Sequence, residues 1–424
     1  MQKKLSLAEV TAIGIGGMIG GGIFAVLGLA IAVAGHAVAF ALLAGGVIAL
    51  LTGISYAHLG LEFRNDGGSF TYIEKAFTAP GIAGFAGWLL VAGYVGTLAL
   101  YASAFGAYGA TFLPESAAGA GVLAAVVLTG FLVINLVGAK LSGGVELGVV
   151  AIKLAILALF AVIAATGIKA SHFTPVFDHG FPAALSAVAL IFVAYEGFEL
   201  IPNAIDEMAA PERNLKRAIV IAICLTTLIY VAVAVVALGN LTPAEIAKDQ
   251  EYVLAVAARP MLGQFGFTLI AAAALLSTAS AINATLFGAA RLAMVMARER
   301  ALPAIFSMRE RNRPIPYVAL ILLTVLSLAF ALFAPLEEIS LFASATFLLI
   351  FFAVNLAAFR LSRRIAIKPV VPLAGCLLCF ASFLVLVWHT FQTDPVGLLF
   401  LAGAYGVAAV LECALVLRHG RRPA

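Results

Sequence analysis

The sequence has 424 residues, of which 63% are hydrophobic and only 11% are charged. Because soluble domains carry roughly 25% charged residues, this composition predicts an integral membrane protein. Its short loops leave no room for a soluble catalytic domain. The net charge of +4 needs no nucleic-acid partner, since the basic residues follow the pattern expected of membrane topology.

Apolar stretches long enough to cross a bilayer, at about 1.5 Å per helical residue, fill nearly the whole chain. They predict about twelve transmembrane helices, at residues 8–34, 37–61, 81–113, 119–139, 143–167, 181–205, 215–239, 264–297, 315–334, 338–359, 370–391 and 396–417.

The basic residues predict the orientation of these spans, because cytoplasmic loops are enriched in Lys and Arg. With a cytoplasmic N-terminus, the outer side holds only Lys169, Lys248 and Arg259 of the 25 basic residues. Lys153 lies inside a span, and all the others fall on the cytoplasmic side. This asymmetry predicts an even number of spans in the plasma (inner) membrane, with both termini in the cytoplasm.

The first span contains a glycine-rich run at residues 14–24, GIGGMIGGGIF. Glycine is the poorest helix former short of proline, and a lipid-facing helix must close its own hydrogen bonds. One interpretation is close packing, because Gly16 with Gly20 and Gly17 with Gly21 have the spacing of small-residue helix contacts. The other is a break that exposes backbone groups to a small zwitterion or an ion.

The sixth span contains a second interruption, at residues 192–202, with two carboxylates, a glycine and Pro202. Proline removes a backbone donor and opposes the preceding helical turn. A simple proline kink is one interpretation. Two interrupted spans that lie five apart instead predict an inverted five-plus-five repeat. We then expect a transporter core at 1–359, with repeats at 1–168 and 178–359, followed by helices 11 and 12 and a cytoplasmic C-terminus at 360–424.

Two loops have their own predicted roles. Thr242 and Pro243 are typical of the cap and first turn of a short helix, which we expect to lie across the outer face as a lid within 241–262. The basic stretch Arg298–Arg313 faces the cytoplasm and suits either anionic lipid or simple anchoring.

Lys153 lies about ten residues inside the fifth span, where a charge costs several kcal/mol unless it is paired or water-lined. A lysine that loads and releases a proton there can replace a bound sodium ion as the driving cation. The alternative is a structural ammonium held permanently by backbone carbonyls.

The polar groups of spans 6 and 8 leave several roles open. Glu196 can face a substrate amine, pair with Lys153, or be protonated and fill space. Glu199 is a candidate gate or proton relay, or a carboxylate of the cytoplasmic vestibule. Ser277 and Thr278 in span 8 either line an ion site or donate to their own helix.

Motifs of other function classes are missing from the sequence. It lacks a P-loop, so ATP is not the expected driver, and it lacks GxGxxG, HExxH and GxSxG motifs. The histidines have no ligand spacing, and the four cysteines fall inside spans as free thiols. We therefore predict a protein that is not an enzyme and that uses no cofactor or metal.

Four segments resemble the amino acid–polyamine–organocation (APC) superfamily of permeases. They are Gly17–Phe24 in span 1, Phe192–Glu199 in span 6, the cytoplasmic loop Glu207–Ala218, and Ser280–Ala284 in span 8. The sequence is most similar to archaeal and bacterial proton-coupled amino acid transporters with a lysine in span 5. The resemblance implies the all-α, leucine-transporter-type inverted-repeat fold, with broken helices 1 and 6 and two additional helices.

The resemblance also implies roles for individual residues. The substrate carboxylate would be bound by the amides of Gly20, Gly21 and Gly22 at a helix N-terminus. The ammonium group would be bound by the carbonyls of Met18 and Ile19 and by those near Val193 and Glu196. The side-chain pocket would be shaped by Phe192, Tyr195 and Phe198.

By the same resemblance, Lys153 would stand where sodium binds in sodium-driven relatives. It would lie against the carbonyls of Gly16 and Ile19 and the hydroxyls of Ser277 and Thr278. The carboxylate of Glu196 departs from the family, which commonly has an apolar residue there. This departure leaves open a preference for cationic amino acids or amines.

The predicted function is proton-coupled amino acid symport by alternating access, in a monomer or a homodimer. One alternative is an exchanger of polyamines or basic amino acids that uses Glu196 and Glu199. An alternative of another class is a channel or a nutrient-sensing receptor on the same scaffold.

Overall fold

The computed structural model describes residues 4–64, 67–114, 119–138, 143–309 and 315–419. Six of the basic residues used to predict the topology lie outside these ranges: Lys3, Lys140, Arg311, Arg313, Arg421 and Arg422. Within them the fold is helical, apart from one isolated bridge between Leu5 and Met208.

The described part of the chain contains the α-helices α1 (Leu7–Met18), α2 (Gly21–Ala34), α3 (Val38–Glu62), α4 (Gly68–Ala76), α5 (Pro80–Ala110), α6 (Ala120–Val137), α7 (Gly143–Ala164), α8 (Phe181–Leu190), α9 (Pro211–Asn240), α10 (Pro243–Lys248), α11 (Val253–Arg298), α12 (Tyr317–Phe333), α13 (Leu336–Arg360), α14 (Val370–Thr393) and α15 (Pro395–His419). Every predicted span coincides with one or two of them. The chain is a multi-pass membrane protein.

The number of spans depends on how broken and short helices are counted. Among the described residues, nine helices are long and apolar enough to cross a membrane, or ten when the bent pair at 181–207 is taken as one span. The nine include Gly21–Glu62 as a single apolar stretch, although α2 and α3 are separate helices. The helices α1 and α12 are shorter than a full span. The count of about twelve therefore stays a prediction.

The first span is broken, as predicted. Helix α1 ends at Met18 and α2 begins at Gly21, while Gly20 between them has a non-helical backbone with φ −98° and ψ −121°. At the start of α1, Ser6 and Glu9 form a capping box in which each side chain accepts a hydrogen bond from the other residue's backbone amide. The weak helix-forming tendency of the glycines thus appears as a gap between two well-formed half-helices.

The sixth span is also broken, and the bend between its halves is 49°. Helix α8 is followed by short 3₁₀ segments at Phe192–Tyr195, Phe198–Leu200 and Pro202–Glu207. Gly197 interrupts them with a φ of 128°, a conformation that residues with a Cβ atom rarely adopt.

The two breaks touch each other. A Cβ atom placed on Gly197 would lie 2.5 Å from the backbone nitrogen of Met18, and one on Gly22 would lie 2.7 Å from the Cα of Ala194. Such distances are available only to glycine, so the sequence permits the two backbones to cross in direct contact at the centre of the bundle.

The short helix predicted within 241–262 is present as α10, which packs against α2, and its role as a lid stays a prediction. Thr242 is its N-cap, and the Glu245 carboxylate accepts hydrogen bonds from the backbone nitrogen of Thr242 at 2.8 Å and from its hydroxyl at 2.7 Å. These bonds hold the pKa of the Glu245 carboxyl below its usual value. A 3₁₀ turn at Gln250–Tyr252 follows α10 and leads into α11, which bends at Gly263 (φ 61°).

We expect Thr242→Ala to destabilise α10 locally by about 1 kcal/mol, because it removes the cap of a six-residue helix. Amide exchange in α10 should then accelerate about fivefold, as measured by hydrogen–deuterium exchange.

Acidification should also destabilise α10. A carboxyl with a depressed pKa stabilises the fold above its ordinary pKa, and that stability is lost as the pH falls through the folded value. Thr268→Ala, an exposed threonine on α11, is the matched control; equal acceleration in both variants would contradict the cap.

Candidate functional site

The N-terminus of α2 presents backbone amides at the centre of the bundle. Gly20 is its N-cap, and Gly21 and Gly22 are its first helical residues, so their N–H groups have no acceptor within the helix. The helix dipole adds partial positive charge at this end. An anionic group such as a carboxylate suits the position.

The same glycines are also close-packed. Any Cβ on Gly20 would strike Ala281 of α11, and a Cβ on Gly21 would lie 2.9 Å from the Cα of Tyr101 on α5. The close-packing interpretation of the glycine run is therefore present in the structure, and the binding of a substrate at the break stays a prediction.

Lys153 is completely buried and reaches the break from α7. Its Nζ donates to the carbonyl of Ile19 at 2.7 Å and to that of Gly16 at 3.2 Å. Both carbonyls lie at the C-terminal end of α1, where the dipole is negative and the acceptors have lost their helical donors. The predicted placement of the amine against these carbonyls is present in the structure, and its ion-coupling role stays a prediction.

The two span 8 hydroxyls do not hydrogen-bond Lys153 in the described structure. Thr278 donates to the carbonyl of Ala274 at 2.8 Å, which is the back-bonding alternative for a helical threonine. The Ser277 hydroxyl is buried without a hydrogen-bond partner. A short hydroxyl side chain on a packed helix reaches its own backbone more easily than a group on another helix.

Other hydrogen bonds fill the break from further helices. The Tyr230 hydroxyl of α9 lies within hydrogen-bond distance of the carbonyls of Met18 and of Ala194, the latter at 2.8 Å, so its single O–H can donate to either of the two broken spans. Tyr101 donates to the carbonyl of Gly17 at 3.2 Å. The carbonyls of Met18 and Ile19 already accept one hydrogen bond each, but a carbonyl oxygen has two lone pairs and can accept a second. Their predicted contact with a substrate ammonium group stays a prediction.

Glu196 and Glu199 are both buried, at 2% and 3% exposure. Glu196 accepts a hydrogen bond from Thr97 of α5, so the alternative of a pair with Lys153 is not realised here. One carboxylate oxygen of Glu199 accepts from the amide of Gly197 at 2.6 Å, while Oε1 has no hydrogen-bond partner.

The three aromatic residues of span 6, Phe192, Tyr195 and Phe198, are fully buried among the neighbouring helices. The ring of Phe192 contacts Phe351, with centroids 5.8 Å apart, and Phe198 contacts the same ring at 5.2 Å. The Tyr195 hydroxyl donates to the carbonyl of Leu42 on α3. Val193 lies beside them, and its amide donates to Ser344 of α13 at 3.0 Å. Their predicted binding roles stay predictions.

Three side chains of this site were missed by the sequence analysis: Thr97, Tyr230 and Glu146. Glu146 lies on α7 seven residues before Lys153, and both of its carboxylate oxygens are 3.2 Å from the Ser280 hydroxyl. The spacing of seven, which places two helical residues on one face, was a signal that could have found it. Thr97 and Tyr230 had no comparable signal, because single polar residues in apolar helices usually bond to their own backbone.

Comparison with known proteins decides the family. A family described as amino acid permease matches residues 5–400. The chain belongs to this family. The resemblance to the APC superfamily is thereby confirmed, and the permease is a transporter of amino acids rather than an enzyme.

The permease has relatives of nearly its own length. It is 32% identical to an uncharacterised protein of Methanocaldococcus jannaschii, over 92% of this chain and 90% of that one. It is 30% identical to the inner membrane transport protein YbaT of Escherichia coli, over 99% and 97%. A crystal structure of a manganese transporter mutant from Eremococcus coleocola superposes with a TM-score of 0.63 at 13% identity, over 97% and 93% of the two chains. This likeness concerns the fold, and the predicted leucine-transporter-type fold is confirmed.

We expect Gly197→Ala to destabilise the permease by about 2–5 kcal/mol, because the new methyl group meets the backbone of α1 and the residue must keep a positive φ. A large drop in melting temperature and in folded yield should follow in detergent-solubilised protein. Gly403→Ala, on α15, is the matched control, since nothing lies within 4 Å of its added Cβ. Equal melting temperatures for the two variants would contradict the close crossing of the two breaks.

Proposed function

We propose that this permease carries amino acids across the plasma membrane by proton-coupled symport with alternating access. The observation that carries the proposal is the completely buried Lys153 amine, which binds the two carbonyls at the end of α1. An ammonium at this position can do what a bound cation does, because it neutralises the negative end of a half-helix inside the membrane.

The substrate site in this proposal is the N-terminus of α2. The amides of Gly20, Gly21 and Gly22 bind the carboxylate that all amino acids share, and carbonyls of the two breaks bind the ammonium group. The support is geometric, since the two breaks expose donors and acceptors a few ångströms apart in a buried region. Phe192, Tyr195 and Phe198 would then occlude the side chain from behind.

In this proposal, proton movement is coupled to transport because the charged and neutral forms of Lys153 bind the end of α1 with different strength. A charged Lys153 holds α1 against α7 through the carbonyls of Gly16 and Ile19, whereas a neutral amine binds them less strongly. Protonation therefore favours the arrangement in which α1 is docked, and deprotonation favours its release. A proton gradient thus biases which side the substrate site opens to, without ATP.

The remaining features of the proposal concern the membrane and the assembly. The excess of basic residues on one side supports cytoplasmic N- and C-termini. The core of α1 to α13 would comprise two inverted repeats, and α14 and α15 lie outside it. Both the substrate site and the lysine belong to one chain, so a monomer suffices for transport, alone or within a homodimer.

We expect Lys153→Ala to abolish accumulation driven by a pH gradient in proteoliposomes, because the variant has no amine to load with a proton. Exchange of labelled for unlabelled substrate should persist, since it needs no net proton movement. Lys169→Ala, an exposed lysine outside the membrane, is the matched control and should accumulate like the wild type. Gradient-driven uptake at the wild-type rate in Lys153→Ala would refute the coupling role.

A second candidate function is the exchange of polyamines or basic amino acids. The observation that favours it is the buried pair of carboxylates in the span 6 break, where Oε1 of Glu199 has no hydrogen-bond partner. A buried carboxylate is stabilised by a cation, so a substrate amine could bind there in addition to the shared backbone site.

We expect Glu196→Gln to lose thermal stabilisation by lysine, arginine and putrescine and to keep any stabilisation by neutral amino acids. A hydrogen bond to a charged group contributes about 1.5–3 kcal/mol, so the dissociation constant of a cationic substrate should rise tenfold or more. Ligand-induced shifts in melting temperature report this affinity directly. Glu337→Gln, at an exposed end of α13, is the control. If only neutral amino acids stabilise the wild type, the cationic preference is wrong.

A further inference from the structure

We propose that Glu146 accepts the proton that Lys153 releases and passes it to the cytoplasm. The proposal rests on the proposed coupling role of Lys153 and adds a residue to it. A proton on the completely buried Lys153 amine would then have a defined route to the cytoplasm.

The two residues share one helix face. Glu146 and Lys153 are the only charged side chains of α7, and a spacing of seven residues returns to the same face two turns away. Two turns separate the Cα atoms by about 10 Å, and long helical side chains lean toward the N-terminus, which carries the amine toward Glu146.

Both side chains also contact the same residue of α1. Lys153 donates to the carbonyl of Gly16, while the Glu146 carboxylate occupies the space that a Cβ atom on Gly16 would take. Gly16 therefore approaches both the amine and the carboxylate while α1 is docked. When α1 moves away, the amine loses its two acceptors, and Glu146 remains as the charged group on its own helix face.

The polar groups near Glu146 continue toward the predicted cytoplasmic side of the membrane. Its carboxylate accepts from Ser280 of α11, and one turn further along α11 Asn283 accepts a hydrogen bond from Asn135 of α6 at 3.0 Å. In the predicted orientation these groups lie on the cytoplasmic side of Lys153. Glu146 is half-buried, whereas Lys153 is fully buried, so the carboxylate is the nearer of the two to water.

The other charged groups of the helices packed on α7 lie toward their ends. Helix α1 has Glu9, helix α9 has Glu212 to Arg217 in its first two turns, and α11 has Arg291 and Arg298 beyond Asn283, with Arg259 at its outer end. Within the described membrane interior, Lys153 is thus the charged partner that shares the face and the contact of Glu146.

The proposed step is a simple acid–base exchange. An N–H bond of the Lys153 ammonium breaks, an O–H bond forms on the Glu146 carboxylate, and both groups become neutral. Glu146 then loses this proton to cytoplasmic water and regains its negative charge. No electron is transferred, and the carboxylate is ready for the next cycle.

The test compares Glu146→Gln, Glu146→Asp and Glu337→Gln in proteoliposomes with an internal pH dye. Transfer through a positioned side chain contributes about a hundredfold or more to a proton step. We therefore expect Glu146→Gln to lose about a hundredfold in proton-coupled accumulation and in substrate-dependent proton flux. Its substrate exchange should stay within about twofold of the wild type, which also shows that the variant is folded.

Glu146→Asp keeps the carboxylate and should restore part of the coupled flux, and Glu337→Gln should match the wild type. Wild-type coupling in Glu146→Gln overturns the proposal, and so does an equal loss of exchange and accumulation, which would make Glu146 a structural support. Lys153→Ala separates the two ideas. If it is uncoupled while Glu146→Gln is not, only the relay fails; if Lys153→Ala stays coupled, the proposed function fails with it.

Discussion

The constraint on which this structure depends is that every backbone group freed inside a membrane must find a partner. Two breaks at the centre of the bundle free amides at the start of α2 and carbonyls at the end of α1. The described structure satisfies the carbonyls with side chains from other helices, namely Lys153 of α7, Tyr101 of α5 and Tyr230 of α9. Each such bond joins two different helices, so it can form only while those helices keep their relative positions.

Bonds between helices differ from bonds within a helix in one respect that matters for transport. A helical hydrogen bond moves with its helix, whereas the bond from Lys153 to Ile19 breaks when α1 leaves α7. In the proposed mechanism, the charge of Lys153 sets the strength of this bond, and the position of α1 sets which side of the membrane has access to the proposed substrate site. A single contact would thus connect protonation to geometry, which is the minimum that a coupled transporter requires.

The sequence was sufficient for those features that depend on local composition. Glycine and proline predicted both breaks, hydropathy predicted the helices, and the depth of Lys153 predicted its unusual setting. The partners of the break were harder to predict, because Thr97 and Tyr230 lie far from it in sequence. The orientation of Tyr195 toward α3 likewise depends on Gly45 leaving room for the ring, a long-range fit that no local pattern records. The number of spans is hard to count for a related reason: α1 is too short to cross a membrane alone and forms a span only together with α2.

The proposed role of Glu146 follows from the same requirement that buried polar and charged groups have partners. A buried amine with two carbonyl acceptors is stable while α1 is docked, but once the carbonyls leave it is an unpaired charge in the membrane, which is costly. It must then lose its proton or gain a counter-charge. A carboxylate two turns away on the same face could serve in either case, because it is a counter-charge to the ammonium before proton transfer and, in the proposed step, accepting the proton neutralises the two groups together. The glycine at position 16 is what allows this, since a larger residue would displace the carboxylate from the end of α1.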